Sequence, residues 1–453
     1  MTNRGYLGKD IIIIEDFFGG VIMQLDWPEH YGDPSWFIHD RFGMFIHWGL
    51  YSLRAKDEWI MTQEKISKEE YEQYLEQFEA DLFDAKKWVK QAKQSGMKYI
   101  VLTTKHHEGF ALWDSAYTDY KITNTPYGKD VLKEFVEACR EEEMKIGFYH
   151  SVIDWHHPHF TIDGLHPARE DEVVKQEKRD MKIYQEYLYN QVEELVTQYG
   201  KVDYFWFDFS YGERDWGWSK GKGAEDWRAE EIEALILKHQ PHMIINNRLG
   251  LNHGVYTPEQ YQPTGVLTTA DNKQRVWEAC QTLNDRWTYN PNNLNRKSAE
   301  MIIKLLIDTV SKDGNLLMNF GPTARGNFDE ASSKILQEIG EWMTYHKQSI
   351  YGAGPAELAP PQDCRLTKKE DRLFIHIFSW PFRTIHLKDF PYEINYARFL
   401  HDYSEVPVKR FDPEDLIHHD RPVIAENEVV LELPVIKPDY VVPVIEIGLK
   451  KRI

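Results

Sequence analysis

The chain has very little cysteine. Three residues in 453 (Cys139, Cys280 and Cys364) stand far apart and make neither a zinc pattern nor an even disulfide framework. Free thiols in a reducing, cytoplasmic setting are the expectation. Long apolar runs are also lacking. No stretch nears the roughly 18 apolar residues of a membrane span. The early run at 11–14 is too short for a signal h-region, and Glu15 and Asp16 follow it at once. Positive charge is in deficit: 54 Lys and Arg face 73 Asp and Glu, a net charge of −19. Phosphate backbones and anionic membranes demand the opposite sign, so neither nucleic acid nor membrane is an expected partner. No internal repeat or low-complexity tract interrupts the chain.

What is present suits a large core. Hydrophobic residues make up 42% and aromatic residues 14%, with fifteen Trp, enough for one large domain and a smaller one. Strand-like and helix-like segments alternate from about residue 40 to 350. Strands are predicted over 41–46, 98–102, 145–149, 202–209, 243–245 and 315–320. Helices are predicted over 84–94, 131–143, 172–198, 229–238, 299–311 and 333–346. Such alternation argues parallel βα units. No Gly-rich phosphate turn follows the first strand, and polar clusters end five successive strands instead of one switch point. Both favour an α/β (β/α)8-like TIM barrel over an open doubly wound sheet. Between about 250 and 296 the helical period fails, so the barrel should be irregular there. The predicted division is a barrel over 1–351, a Gly, Pro and Ala-rich linker over 352–363, and a small antiparallel β-sandwich over 364–453.

The stretch YFWFD at 204–208 carries the most information. It is a buried strand that stops on a carboxylate. An acid at such a strand end caps the next helix, or pairs with an Arg, or does chemistry, because the C-terminal strand ends of a barrel hold its active site. The other predicted strand ends carry His47, His106 and His107, Tyr149 and His150, and Arg248. Glu58 with Trp59, and Trp287, are read with this strand-end set, and so is Glu259, which lies in a predicted loop. Adjacent strand residues point to opposite faces, so His106 and His107 share a site only if the strand has ended or twisted there. His157 and His159 flank Pro158 and do not converge as zinc ligands do. No catalytic metal and no cofactor is expected.

Read in order, these stretches resemble the α-L-fucosidases of glycoside hydrolase family 29. The matching segments are RFGMFIHWGLYS with EW after it, KYIVLTTKHHEGFALWDS, GFYHSVIDWHHP, DYFWFDFS, INNRLG, TPEQ, VWEACQTLNDRWTYN, DGNLLMNFGPTARG and SIYG. They cover roughly residues 30–355. The resemblance implies retaining, metal-free hydrolysis of a terminal α-L-fucoside on a barrel with a β-sandwich tail. It places Asp208 as nucleophile and Glu259 as general acid/base. His47, Glu58, Trp59, His106, His107, Trp206 and Arg248 would hold the sugar, with Trp287 near its methyl group. Phe37 is a further candidate for that apolar subsite, and Glu213 or Glu278 are fallback acids. A protonated Glu259 should have apolar neighbours such as Tyr256 and Pro258. Three departures bear on substrate preference: Phe209-Ser210 where many relatives have Gly after the nucleophile, Asn246-Asn247-Arg248 for Asn-Asp-Arg, and Tyr149-His150 for a Tyr pair. Alternatives are a glycosidase for α-L-galactosides, a metal-dependent barrel hydrolase, and a sugar-binding protein without turnover. The expected partner is a fucosylated oligosaccharide or glycan. A homo-oligomer is compatible with the sequence.

Overall fold

The computed structural model describes residues 24–414 and 424–450; the apolar run at 11–14 lies outside them. Seven strands form one parallel sheet: β1 (Phe42–Ile46), β2 (Tyr99–Lys105), β3 (Lys145–Ser151), β4 (Tyr204–Asp208), β5 (Ile244–Ile245), β6 (Glu278–Gln281) and β7 (Asn315–Asn319). The order is β5-β4-β3-β2-β1-β7-β6, and every pairing is parallel. Single bridges from Asn246 to Val255, Tyr256 to Trp277 and Glu259 to Cys280 carry residues 255–259 between β5 and β6. That segment stands where an eighth stave would close the ring, and no helix lies between β5 and β6 beyond one short turn at Asn247–Leu249. The result is a curled, irregular (β/α)8-like barrel.

Helices α1 (Ala85–Gln94), α2 (Val131–Glu141), α3 (Met181–Thr197), α4 (Ala229–His239), α5 (Ala299–Val310) and α6 (Glu330–His346) form the outer layer. Five start where an Asp or Ser side chain accepts a backbone N–H of the first turn: Asp84, Asp130, Asp180, Ser298 and Asp329. The cap at Asp180 shows why α3 begins nine residues later than its apolar spacing predicts. Val173 is 79% exposed and Val174 opens a separate single 3-10 turn over Val174–Gln176, so neither joins the face of α3.

Alternation along the strands sorts two cores. Phe45, Tyr99, Val101, Tyr149, Tyr204, Trp206, Cys280 and Leu317 fill the barrel interior. Met44, Ile46, Phe148, Phe205 and Phe207 meet the helices. Gly43 is required: a Cβ there would sit 2.3 Å from the Tyr99 ring. Phe37 packs on Tyr99 and Tyr204, the first residues of β2 and β4. It therefore plugs the barrel end opposite the strand C-termini, which removes it from the apolar subsite.

Strand β6 escaped prediction because it opens on a fully buried acid. Glu278 accepts hydrogen bonds from Tyr99, from Tyr204 (3.2 Å) and from Trp206 Nε1 (3.3 Å) inside the barrel. Burial pushes its carboxyl up to about 7 from 4.5. The folded state thus keeps a proton that the unfolded chain has released, and stability falls as pH rises between those values. The loss is on the order of 3 kcal/mol. Glu278→Gln is neutral throughout. Its melting temperature relative to the parent should rise between pH 5 and pH 8; an offset independent of pH would contradict this.

After α6 the chain forms antiparallel strands: β8 (Cys364–Lys369), β9 (Arg372–Ile377), β10 (Thr384–Leu387), β11 (Glu393–Phe399), β12 (Val408–Arg410), β13 (Val429–Glu432) and β14 (Val444–Lys450). Two sheets, β8-β9-β14-β11 and β10-β13-β12, enclose a separate core of Leu373, Ile375, Leu431 and Ile447. Gly354–Pro355 adds an edge to the first sheet. Trp342 Nε1 donates to Val442 O (3.0 Å), and Arg365 pairs with Asp308 (2.7 Å), which ties this unit to α6 and α5.

Candidate active site

Asp208 is the last residue of β4, and its carboxylate gathers three partners. Tyr149 donates its hydroxyl to Oδ2 (2.9 Å), Arg248 Nη1 donates to Oδ1 (3.0 Å), and His107 Nε2 lies 3.8 Å from Oδ2. Tyr149 and Asp208 meet because both strands leave these side chains on the barrel-facing side near their C-terminal ends. Burial, reinforced by the Asp208 charge, holds the Tyr149 phenol well above its usual range, so it stays a donor.

Arg248 is the hub. Its Nε donates to Thr257 Oγ1 (2.8 Å) and Nη2 to Thr257 O (3.0 Å). Its plane lies 4.6 Å over the Trp206 ring. The same Nη1 that reaches Asp208 donates to Glu259 Oε2 at 2.7 Å. The two carboxylates therefore share one nitrogen. The sum of its two contacts sets the upper limit on the gap between those oxygens. Glu259 Oε1 has no protein partner among the described residues.

Glu259 departs from the expected apolar setting. Its side chain is 40% exposed, against 12% for Asp208. Tyr256 stacks on Arg275 instead. The bridge from Glu259 to Cys280 fixes its backbone at the rim of the ring and turns the carboxyl toward Arg248. Glu278 lies beneath Trp206 and Glu213 is exposed on the loop after β4, so neither sits beside Asp208.

The histidines converge because β2 ends at Lys105. His106 and His107 then lie with ring centroids 4.1 Å apart, and both face the site. His106 stacks on Tyr149 and lies edge-on to His47. His47 Nδ1 pairs with Asn319 (2.8 Å), whose amide donates to Trp287 O (2.6 Å). His107 Nδ1 pairs with Ser151 (2.6 Å), which leaves Nε2 toward Asp208. Burial first, then neighbouring histidine charge, pushes His47 and His107 well below the usual imidazole range. Both are neutral near pH 7, suited to exchanging hydrogen bonds with sugar hydroxyls. Asn319 and Ser151, which orient these rings, are not among the predicted site residues, although both lie at strand ends inside the matching segments DGNLLMNFGPTARG and GFYHSVIDWHHP.

Glu58 also supports the wall of the site. Its Oε2 accepts from Trp287 N (3.1 Å) and Thr288 N (3.2 Å), fixing the turn that sets Trp287 against His47. Burial, with the Asp57 charge beside it, raises its carboxyl to about 6. Trp59 lies edge-on to His107 and Phe209. His150 does not belong to the cluster. On β3 the side chain after Tyr149 must point outward, and His150 Nδ1 pairs with Thr104 (2.8 Å) in the helix-facing core near Trp113.

Phe209 holds the left-handed region at φ +84°, which strains a side chain by roughly 1–2 kcal/mol. Its ring stays because it walls the site against Trp59 and His107, beside a cleft of about 420 Å³ that Asp208 and Arg248 also line. Phe209→Ala should melt below Phe209→Gly by the equivalent of about 1 kcal/mol, since glycine alone is unstrained there. Equal or reversed melting temperatures would refute that strain.

A family model described as alpha-L-fucosidase matches residues 24–348. The chain belongs to the alpha-L-fucosidase family. It is a glycoside hydrolase acting on fucosides. Plasma alpha-L-fucosidase of Homo sapiens is 30% identical over 389 residues, covering 77% of this chain and 76% of that protein. Among solved structures, alpha-L-fucosidase isoenzyme 1 from Paenibacillus thiaminolyticus superposes with a TM-score of 0.85 at 39% identity, covering 92% of this chain and 98% of that one. An alpha-L-fucosidase from Bacteroides thetaiotaomicron, trapped as a covalent intermediate with 2-fluoro-fucosyl fluoride, gives 0.79 at 27% identity, covering 94% and 98%.

Proposed function

We propose that this fucosidase releases a terminal α-L-fucosyl residue from glycans or oligosaccharides with retention of anomeric configuration. Asp208 attacks the anomeric carbon and Glu259 protonates the departing oxygen. A fucosyl ester on Asp208 forms as the glycosidic bond breaks. Glu259, now a base, takes a proton from water, and that water hydrolyses the ester. The observation that carries this reading is the single Arg248 nitrogen held by both carboxylates. Their nearest oxygens can stand no farther apart than the 3.0 and 2.7 Å contacts laid end to end, which suits a retaining pair at about 5–5.5 Å and falls short of the roughly 6.5–9.5 Å that an inverting pair needs. Glu259 Oε1 is free to carry the proton while Oε2 stays on Arg248. Tyr149 and Arg248 stabilise the Asp208 carboxylate as leaving group in the second step. The neutral histidines and Trp287 hold the hydroxyls and the methyl side. Proton NMR of the first product released from an aryl α-L-fucoside should show the α anomer before mutarotation; initial β-fucose would refute retention.

A further inference from the structure

Outside the site just described, three donors from distant parts of the chain converge on one point. Glu233 lies in the middle of α4, half-shielded by the segment at 27–32. His253 Nε2 is 2.6 Å from its Oε1, and His30 Nε2 is 3.3 Å from its Oε2. All three ligand atoms lie within 4.8 Å of one another. The His30 and His253 rings meet edge-on at 5.9 Å, so each turns an Nε2 edge toward the carboxylate. Tyr31 donates its hydroxyl to Glu233 Oε1, the kind of outer hydrogen bond that fixes a ligating carboxylate.

The frame around these donors is built. Gly32 N donates to Met243 O (3.2 Å), seating the N-terminal segment at the foot of β5. Gly254, at φ +90°, packs so closely that a Cβ would lie 2.3 Å from Ile245 O and 3.1 Å from the Tyr31 ring. Its neighbour His253 is therefore held over Glu233.

We propose that His30, Glu233 and His253 bind one divalent transition-metal ion, zinc by the donor set, which fastens the 246–260 loop to α4 and the N-terminal segment. Two imidazoles and a carboxylate are a zinc ligand set with bond lengths of about 2.0–2.2 Å. Tetrahedral ligands at those lengths lie about 3.3 Å apart. The His30–Glu233 contact already has that spacing. The His253 contact is a hydrogen bond that must open slightly as the ion replaces its proton. Water can fill the fourth position. The loop so fastened carries Arg248 and Glu259. None of the hydrogen bonds of the three ligands reaches Asp208 or Glu259, so the ion is structural and supplies no step of the hydrolysis. The inference stands apart from the retaining mechanism.

The test is calorimetric titration of the full chain, untagged and chelator-treated, with zinc chloride. One ion per chain should bind with micromolar or tighter affinity and raise the melting temperature by several degrees at saturation. His30 is more than half exposed, so His30→Ala should fold normally, with unchanged activity, yet bind zinc at least tenfold more weakly. His253→Ala should behave alike. X-ray absorption of the loaded chain should report two nitrogen-ring ligands. No binding at millimolar zinc would overturn the proposal. So would tight binding that both variants retain, which would move the ion to another cluster such as His47, His106 and His107.

Discussion

Asp208→Ala lowers kcat on an aryl α-L-fucoside by roughly 10⁴-fold or more, because a nucleophile removed from a mutually dependent set takes most of the chemistry with it. Folding should survive. The loss leaves Arg248 with Glu259 still within 2.7 Å and with both Thr257 contacts, so the buried cation is not stranded. KM should move little, since the hydroxyl contacts proposed for His47, His106 and His107 do not involve the deleted carboxylate. Turnover of the variant at the parental rate would end the assignment of Asp208. A melting temperature near the parent's separates the chemical effect from unfolding.

Glu259→Ala should lose about 10²–10⁴-fold, the usual worth of a positioned proton donor, and the loss should depend on the leaving group. An aglycone that departs unprotonated needs no acid, so the fucosyl ester forms readily and the second step becomes limiting. Azide needs no general base and is small enough to enter the space left by the side chain. It should restore a substantial part of the rate and give a fucosyl azide with the configuration of the substrate. Equal losses for good and poor leaving groups, with no azide effect, would assign the proton transfer elsewhere. Glu213 and Glu278 are poor substitutes: one is exposed beyond Tyr211, and the other is sealed beneath Trp206.

Much of this architecture was legible from residue pattern. Strands β1 to β5 and β7 are apolar runs flanked by helical spacing, and their ends carry the polar residues. What pattern could not supply is direction and depth. His150 follows Tyr149 in sequence and resembles a site pair, yet period-two geometry sends it to the helices. The same rule would have separated His106 from His107, and it does not apply because β2 stops one residue earlier. Phe37 carried the right chemistry for a methyl subsite and sits at the wrong end of the barrel. β6 reads as polar because Glu278 is satisfied by Tyr99, Tyr204 and Trp206 from three other points in the chain. The setting of Glu259 depends on the bridged segment 255–259, which has neither helical nor strand period. The His30–Glu233–His253 group is invisible for a plainer reason: its members stand 203 and 20 residues apart, without any spacing motif.

The central claim is that Asp208 bonds to the anomeric carbon while Glu259, held by the same guanidinium, manages the proton. Its most direct test is peptide mapping by mass spectrometry after inactivation with 2-fluoro-fucosyl fluoride. The account predicts a single fluorofucosyl ester on the peptide containing Asp208, and no labelling of Asp208→Ala. An ester on any other carboxylate, or inactivation without a covalent adduct, would contradict it.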